Sequence, residues 1–272
     1  MPSYNVARFI ARSIESIMSQ TYPHWELLIV DDNSTDGTQQ VVASYASRDV
    51  RIQLFTLKEN SGTGSARNYA IERARGRYIA FCDSDDCWLP AKLEKQLQIM
   101  REKDCALSYT SYFTCSETGE LNGIIMAPPR LTLTDIKHDN KIGCLTAIYD
   151  TCKCGRVLMP TMRKRQDWAF FLTIMKTHPV AYGIHLPMAV YRVRDFSVSS
   201  SKFSLIKYNA QVYREVFGYS CLHSYAYLFS IFMPTYFSKC MQSVIDKYRY
   251  RHLWNTRHSA PPSSSVSETT TC

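Results

Sequence analysis

The stretch Arg77-Tyr78-Ile79-Ala80-Phe81-Cys82-Asp83-Ser84-Asp85-Asp86-Cys87-Trp88-Leu89-Pro90 decides the fold. Tyr78 to Cys82 is a short apolar run without polar alternation, the pattern of a strand covered on both faces of a parallel sheet. It ends in three carboxylates within four residues, Asp83, Asp85 and Asp86. Open α/β sheets bind their ligands at the carboxyl ends of strands. Acids this close repel one another unless a cation or hydrogen-bond donors hold them, and hard oxygen ligands suit Mg²⁺ or Mn²⁺, ions that carry a pyrophosphate. The same residues also fit a turn and an N-cap for a helix opening near Pro90, because Asp favours both places. The stretch by itself leaves the two readings level.

Towards the N-terminus the strand and helix signals alternate. Val6 to Gln20 carries Phe9, Ile10, Ile14, Ile17 and Met18 at helical spacing, and Tyr22-Pro23 stops that helix. Trp25 to Val30 reads as a buried strand that also ends in acids, Asp31 and Asp32, followed by the turn Asn33-Ser34-Thr35-Asp36-Gly37-Thr38 and a helix over Gln39 to Ser47. Ile52 to Leu57 is a third strand. Asn60 to Asn68 is a glycine-containing loop running into a helix, Ala66 to Ala74, with backbone amides suited to phosphate but without the dinucleotide or Walker spacing. Strand, helix, strand, helix, strand, helix, strand argues an α/β fold with a doubly wound, mostly parallel sheet. Asp32 and Asp85 are then expected to share one crevice.

Towards the C-terminus, Ala91 to Lys103 is a basic amphipathic helix with Leu93, Leu97 and Met100 on one face. Cys105 to Phe113 and Ile142 to Tyr149 read as strands, and the polar residues 116 to 140 as loop with a short helix. Asp167 follows the cations Arg163, Lys164 and Arg165 and heads an apolar helix, Trp168 to Met175. Nearby positive charge keeps such an acid ionised, as a general base requires, whereas an acid at a helix start is also a common answer to the helix dipole. Ala181 to Leu186 and Met188 to Val193 read as final strands. From Phe203 onward the chain is aromatic and basic with helical spacing, and Ser259 to Cys272 has the composition of a disordered tail.

The chain has 272 residues, 45% of them hydrophobic, enough for one large α/β domain with a substantial core. A net charge of +8 favours anionic partners: nucleotide phosphates, a lipid pyrophosphate or an anionic membrane face. The ten cysteines form no CxxC pair, which argues against a zinc site or a disulfide scaffold and for reduced cytosolic thiols. The chain opens without a signal-peptide pattern, and its most apolar late segment, Tyr225 to Phe237, is too short to span a bilayer. A cytoplasmic protein, with peripheral contact at the inner face of the cytoplasmic membrane through its aromatic, basic end, is the expectation.

Taken in order, the motifs Pro2-Ser3-Tyr4-Asn5, Val30-Asp31-Asp32-Asn33-Ser34-Thr35-Asp36, Ala66-Arg67-Asn68, Asp83-Ser84-Asp85-Asp86 and Lys164-Arg165-Gln166-Asp167-Trp168 resemble those of family 2 glycosyltransferases of the GT-A fold. The likeness is greatest to bacterial enzymes that build capsule, O-antigen or teichuronic-type polysaccharides. It implies residues 1–202 as the GT-A domain, 203–258 as a helical extension and 259–272 as a tail. That family's first strand carries several apolar residues before the position of Pro2; here they do not appear, so the first strand is expected to be truncated.

The resemblance implies an inverting displacement. A nucleotide-sugar, a UDP-sugar by this likeness, is held by Pro2, Tyr4, Asp32, Arg67, Asp83 and Ser84, with Asp32 on the uracil and Tyr4 beside it. Asp85 binds Mg²⁺ or Mn²⁺, and Asp167 is the catalytic base that takes the proton of an acceptor hydroxyl. The acceptor is a saccharide, with a lipid-pyrophosphate-linked one favoured by the positive charge, and no nucleic-acid partner is expected. Two rivals stand beside this reading: a nucleotidyltransferase, which needs a glycine- and lysine-rich loop that Pro2 to Arg8 does not supply, and a non-catalytic protein that keeps the fold as a binding scaffold.

Overall fold

Hydrophobic spacing and turn residues punctuate the chain into ten strands and nine α-helices among the described residues of a computed structural model, which describes residues 1–194 and 202–232 and the single positions 234, 238, 241, 245 and 249. In chain order they are β1 (Pro2–Ser3), α1 (Ile10–Met18), β2 (Leu27–Asp31), α2 (Thr38–Ala46), β3 (Ile52–Thr56), α3 (Thr63–Arg73), β4 (Tyr78–Ala80), β5 (Cys87–Trp88), α4 (Lys92–Glu102), β6 (Leu107–Cys115), β7 (Leu121–Ile125), β8 (Arg130–Thr132), α5 (Leu133–His138), β9 (Ile148–Asp150), α6 (Thr151–Cys154), α7 (Gln166–Thr177), β10 (Val180–Arg192), α8 (Lys202–Phe217) and α9 (Cys221–Tyr227). A π-helical turn, Leu228–Phe232, continues α9. The expectations for residues 197–201, for most of the basic, aromatic stretch beyond 232 and for the 259–272 tail fall outside the described residues.

The α/β layering expected from the sequence is present, but its strands form two sheets of mixed direction. β1, β2 and β3 form a parallel sheet, in which Pro2 pairs with Val30 and Leu27 with Ile52. The second sheet runs β4-β9-β6-β10-β5, with β7 added to β6 and β8 to β10; within it only β6 and β10 are parallel. The "mostly parallel" expectation is corrected on this point. Alternation of strands and helices argues for parallel crossovers, whereas β7 returns on β6 through a short hairpin and β5, β8 and β9 pair antiparallel with strands distant in the sequence, which local alternation does not encode.

Other boundaries shift for local reasons. The two final strands expected after Val180 are one strand, β10, whose Pro187 sits at register shifts where a ladder can spare an N–H donor. Gly183 is required there, because a Cβ at that position would meet the Pro128 carbonyl at 2.1 Å. Ile142 to Tyr149 holds only the beginning of β9, after a 3₁₀ turn at Cys144–Thr146. β4 ends at Ala80, so Phe81 and Cys82 already belong to the acidic loop, although both stay buried.

Helices cover both faces. On one side Ile10, Ile14, Val42, Leu93 and Met100 from α1, α2 and α4 pack on Ile29, Ile148 and Ala189. On the other, α7 buries Trp168 to Leu172 without exposure against Leu107, Tyr149 and the helices that follow β10, with Trp168 edge-on to Tyr213. Burying each large apolar side chain contributes roughly 1.5–3 kcal/mol, so α7 is fixed firmly in place. That rigidity matters because Asp167 sits in its first turn.

Candidate active site

The acidic loop between β4 and β5 is pinned from three directions. The Ser13 hydroxyl of α1 donates to the Ser84 carbonyl at 2.9 Å. The backbone N–H of Arg192, at the end of β10, donates to Asp86 Oδ1 at 2.9 Å, and the Arg192 guanidinium donates to the Asp85 carbonyl and to the carbonyls of Ser116 and Glu117. From α3, Arg67 Nη2 donates to Asp83 Oδ1 at 2.5 Å. Each carboxylate of the loop thus has its own environment. Asp83 faces a buried guanidinium, Asp86 is enclosed with 1% exposure, and Asp85 has only a 3.4 Å ion pair to Arg194.

These environments set the charges. Burial, and then the Asp83 carboxylate, raise the proton affinity of Asp85 above the ordinary carboxylate range, against the pull of Arg194. Burial, and then Asp83 and Asp85, raise that of Asp86 well above the ordinary range, against the Arg192 N–H that donates to its Oδ1. Burial works against the charge of Arg67, but Asp83 and more distantly Asp167 outweigh it and keep the guanidinium protonated.

The remaining sequence-derived residues are joined to this loop by a continuous chain of contacts. Asp32, at the end of β2 and 3% exposed, accepts from the Ser61 and Gly62 backbone N–H groups at 2.7 and 2.8 Å and so ties down the entry to α3. Arg67 and Asn68 lie within α3, in the helix expected over Ala66 to Ala74, which opens three residues earlier, at Thr63. Asn68 exchanges two hydrogen bonds with the Met159 backbone, at 2.9 and 2.7 Å, which anchors α3 to the segment preceding α7. A Cβ at Gly64 would lie 2.7 Å from the Gln166 side-chain amide, so the first turns of α3 and α7 meet where only glycine fits without displacing that amide. Asp167, next in the chain, accepts from Asn140 Nδ2 at 3.1 Å and is half-buried. Arg165, two residues earlier, holds a left-handed φ of 67° at the N-cap, which turns the chain sharply into α7.

Asp167 and the acidic loop act electrostatically on the same two half-buried groups. The Tyr191 hydroxyl is pushed up to about 12 by burial and then by Asp86, Asp83, Asp85 and Asp167. The Cys144 thiol is raised by burial and then by Asp83, Asp167 and Asp86 against the opposing Arg67. Pro2 is buried in β1 and Tyr4 is 48% exposed at the edge of the same end of the first sheet. Among the described residues no group of three or more His, Cys, Asp and Glu side chains is arranged to hold a metal ion. The donor set nevertheless suits a hard divalent cation: Asp85 offers carboxylate oxygens crowded by Asp83 and met only by a long contact to Arg194. Further ligands would have to come from a bound diphosphate.

Arg192, Arg194, Ser13 and Asn140 were not singled out by sequence. The one available signal was two arginines closing an apolar strand, Arg192-Val193-Arg194, at the sheet end where the acids also lie.

Comparison with known proteins places these features in context. The family described as Glycosyl transferase family 2 matches residues 1–155. A Bacillus subtilis (strain 168) protein named as a teichuronic acid biosynthesis glycosyltransferase, TuaG, is 45% identical over 216 residues, 79% of this chain and 86% of that one. The Escherichia coli UDP-Glc:alpha-D-GlcNAc-diphosphoundecaprenol beta-1,3-glucosyltransferase WfgD is 36% identical over 208 residues, 76% and 81% of the two chains. In fold, S. aureus TarS 1–349 in complex with UDP superposes with a TM-score of 0.68 at 22% identity, over 87% of this chain and 70% of that one. The mannosyltransferase PcManGT from Pyrobaculum calidifontis, in complex with GDP-Man and Mn²⁺, superposes with a TM-score of 0.58 at 20% identity, over 84% and 68%. No described helix is long and apolar enough to cross a membrane.

Proposed function

Because the chain belongs to glycosyl transferase family 2 and is a glycosyltransferase, we propose that it transfers a hexose from a UDP-sugar to a saccharide carried on a lipid diphosphate, with inversion, in the assembly of a bacterial cell-surface polysaccharide. The observation that carries this reading is the chain of contacts joining the base candidate to the diphosphate-binding candidate: Arg67 of α3 pairs with Asp83, Asn68 of the same helix is hydrogen-bonded to the Met159 backbone, and the first turns of α3 and α7 meet at Gly64 and Gln166, beside Asp167. The name of WfgD, with UDP-Glc as donor and a diphosphoundecaprenol-linked sugar as acceptor, and the UDP held by TarS support the choice of substrates. The catalytic unit is taken as residues 1–202 and residues 203–258 as an extension, of which α8 packs on α7 through Tyr213 and Trp168, with its basic, aromatic composition suited to an anionic membrane face.

In this mechanism Asp32 orders the Ser61–Gly62 loop and presents its carboxylate to the uracil, with Tyr4 and Pro2 flanking the base. Arg67 fixes Asp83 against the nucleotide end of the pocket, and Ser84 is held by Ser13 so that the loop does not move on binding. Mg²⁺ or Mn²⁺ held by Asp85 would neutralise charge on the diphosphate leaving group, a reading supported by the Mn²⁺ in the PcManGT complex. Asp167 takes the proton of the acceptor hydroxyl as that oxygen attacks the anomeric carbon, and Asn140 keeps its carboxylate turned towards the site. A positioned base contributes ~10²–10⁴ in rate.

The test is Asp167→Asn, assayed with UDP-hexoses and a synthetic lipid-diphosphate sugar. Transfer drops by ~10²–10⁴ while UDP affinity, measured by calorimetry, stays unchanged. Undiminished transfer would remove Asp167 from the role.

A further inference from the structure

The last turn of α5 is held by side chains from other helices. The final carbonyls of an α-helix have no partner within it. Here the Ile136 carbonyl accepts from the Trp168 indole Nε1 at 2.7 Å, and the Lys137 carbonyl accepts from the Tyr213 hydroxyl at 2.8 Å. Trp168 belongs to α7 and directly follows Asp167, while Tyr213 belongs to α8 and meets Trp168 edge-on. Just past the end of α5 stands Asn140, whose Nδ2 donates to Asp167 Oδ2 at 3.1 Å. The residue after Asp167 and the donor to its carboxylate are thus both fastened to the end of α5.

The Lys137 side chain ties that same end to the helices after β10. Gly218, at a φ of 68°, closes α8 with a left-handed cap: its N–H donates to the Arg214 carbonyl at 3.0 Å, and the Tyr219 N–H donates to the Tyr213 carbonyl at 3.4 Å. This reversal stacks Tyr219 beside Tyr213, with 6.3 Å between ring centres. Lys137 Nζ donates to the Tyr219 hydroxyl at 2.6 Å and stands 4.7 Å and 4.6 Å from the ring centres of Phe217 and Tyr227. At such distances the ring quadrupole attracts a cation. The end of α8, the turn after it and the end of α9 therefore converge on one ammonium of α5.

We propose that Lys137 is a positioning residue for the transfer reaction: its ammonium, held by Phe217, Tyr219 and Tyr227, locks α8 and α9 onto α5 and, through Asn140, fixes where the Asp167 carboxylate stands. This rests on the reading of Asp167 as the base. The packing of α7 sets the Asp167 backbone but leaves its side-chain torsions open, and the Asn140 amide selects among them. Asn140 lies between α5 and the 3₁₀ turn at Cys144–Thr146, so its own place depends on how α5 is anchored. A helix of six residues has little stability of its own. The Thr132–Asp135 capping box holds its start, and the Trp168, Tyr213 and Lys137 contacts hold its end.

The experiment compares Lys137→Met, which keeps the stem and removes the charge and the donor, with Lys137→Arg, Asn140→Ala and the double variant of Lys137→Met with Asn140→Ala. kcat and KM are measured with UDP-hexoses and the synthetic lipid-diphosphate sugar, UDP affinity by calorimetry, and exchange of the Trp168 indole N–H by NMR. Lys137→Met lowers kcat roughly ten- to hundredfold, speeds Trp168 exchange, and leaves UDP affinity and KM for the UDP-sugar unchanged. Lys137→Arg recovers most of kcat. The double variant loses no more than Asn140→Ala, because both changes act on the same carboxylate. Tyr219→Phe, which removes one hydroxyl and keeps the ring, shifts the same readouts in the same direction by less, and it serves if Lys137→Met does not fold. Losses that multiply in the double variant would overturn the proposal, as would a parallel loss of UDP affinity, the mark of a general stabiliser. The two readings fail separately: undiminished transfer by Asp167→Asn removes the base and this proposal with it, whereas an impaired Asp167→Asn beside an undiminished Lys137→Met removes the proposal alone.

Discussion

Replacing Lys92 by methionine should stabilise this protein. Lys92 opens α4, is wholly buried, and places its Nζ 4.1 Å from the centre of the Trp88 ring with no hydrogen-bond partner. Burial pushes its ammonium from 10.5 down to about 7. At about 1.4 kcal/mol per pKa unit, keeping it charged costs on the order of 5 kcal/mol. The ring face returns ~1–2 kcal/mol to the cation, which leaves about 3 kcal/mol to be recovered by a neutral side chain of the same length. In a protein of this size that corresponds to a Tm increase of roughly 6–10 °C at pH 7. The pH dependence gives a second readout. The unfolded chain holds the Lys92 proton up to pH 10.5 and the folded chain releases it near 7, so unfolding takes up a proton in that window. Stability of the native sequence therefore climbs as pH rises from about 7 towards 10.5. Lys92→Met loses this component of the slope. Scanning calorimetry of both proteins from pH 6 to 9, a range chosen at roughly the lower half of that window, decides the matter. A lower Tm for the variant at pH 7, or an unchanged slope, would refute the reasoning.

Three further outcomes follow from the site. Arg192→Met strips the Asp85, Ser116 and Glu117 carbonyls of their donor, costs on the order of 3 kcal/mol in chemical denaturation, and raises KM for the UDP-sugar more than it lowers kcat, with partial recovery in Arg192→Lys; a kcat effect alone would count against it. Gly64→Ala displaces the flexible Gln166 amide beside Asp167, so Tm holds within a few degrees while transfer falls roughly ten- to hundredfold; a loss of stability instead of activity would contradict the assignment. Chelation by EDTA abolishes transfer and added Mn²⁺ or Mg²⁺ restores it, whereas full activity in EDTA would exclude Asp85 from a metal-binding role.

Much of this organisation was legible in the residues, and the exceptions have physical causes. The apolar run into Asp83 and the acid heading α7 could be read because burial and helix periodicity leave direct marks on the sequence. Strand direction could not, since a buried antiparallel strand such as β9 has the same composition as a parallel one. Within the basic amphipathic helix the burial of Lys92 carries no mark, because it depends on where Trp88 lies, which periodicity within α4 does not encode. Nor could Asp85 and Asp86 be told apart, since the difference between an accessible carboxylate and an enclosed acid comes from the Arg192 N–H, 106 positions away. Arg194, the partner of Asp85, likewise comes from a distant strand end.

The seam between the sheets has a bearing on how the enzyme fails. Asp32 and Arg67 are carried by the β1–β2–β3 half, Asp85 and the approach to Asp167 by the other, and the Arg67–Asp83 pair is a bridge thrown across the division. Slippage of one half against the other would blunt turnover long before either half melts. Inactivation by heat should therefore run ahead of the calorimetric transition, with a gap that reports the stiffness of the join.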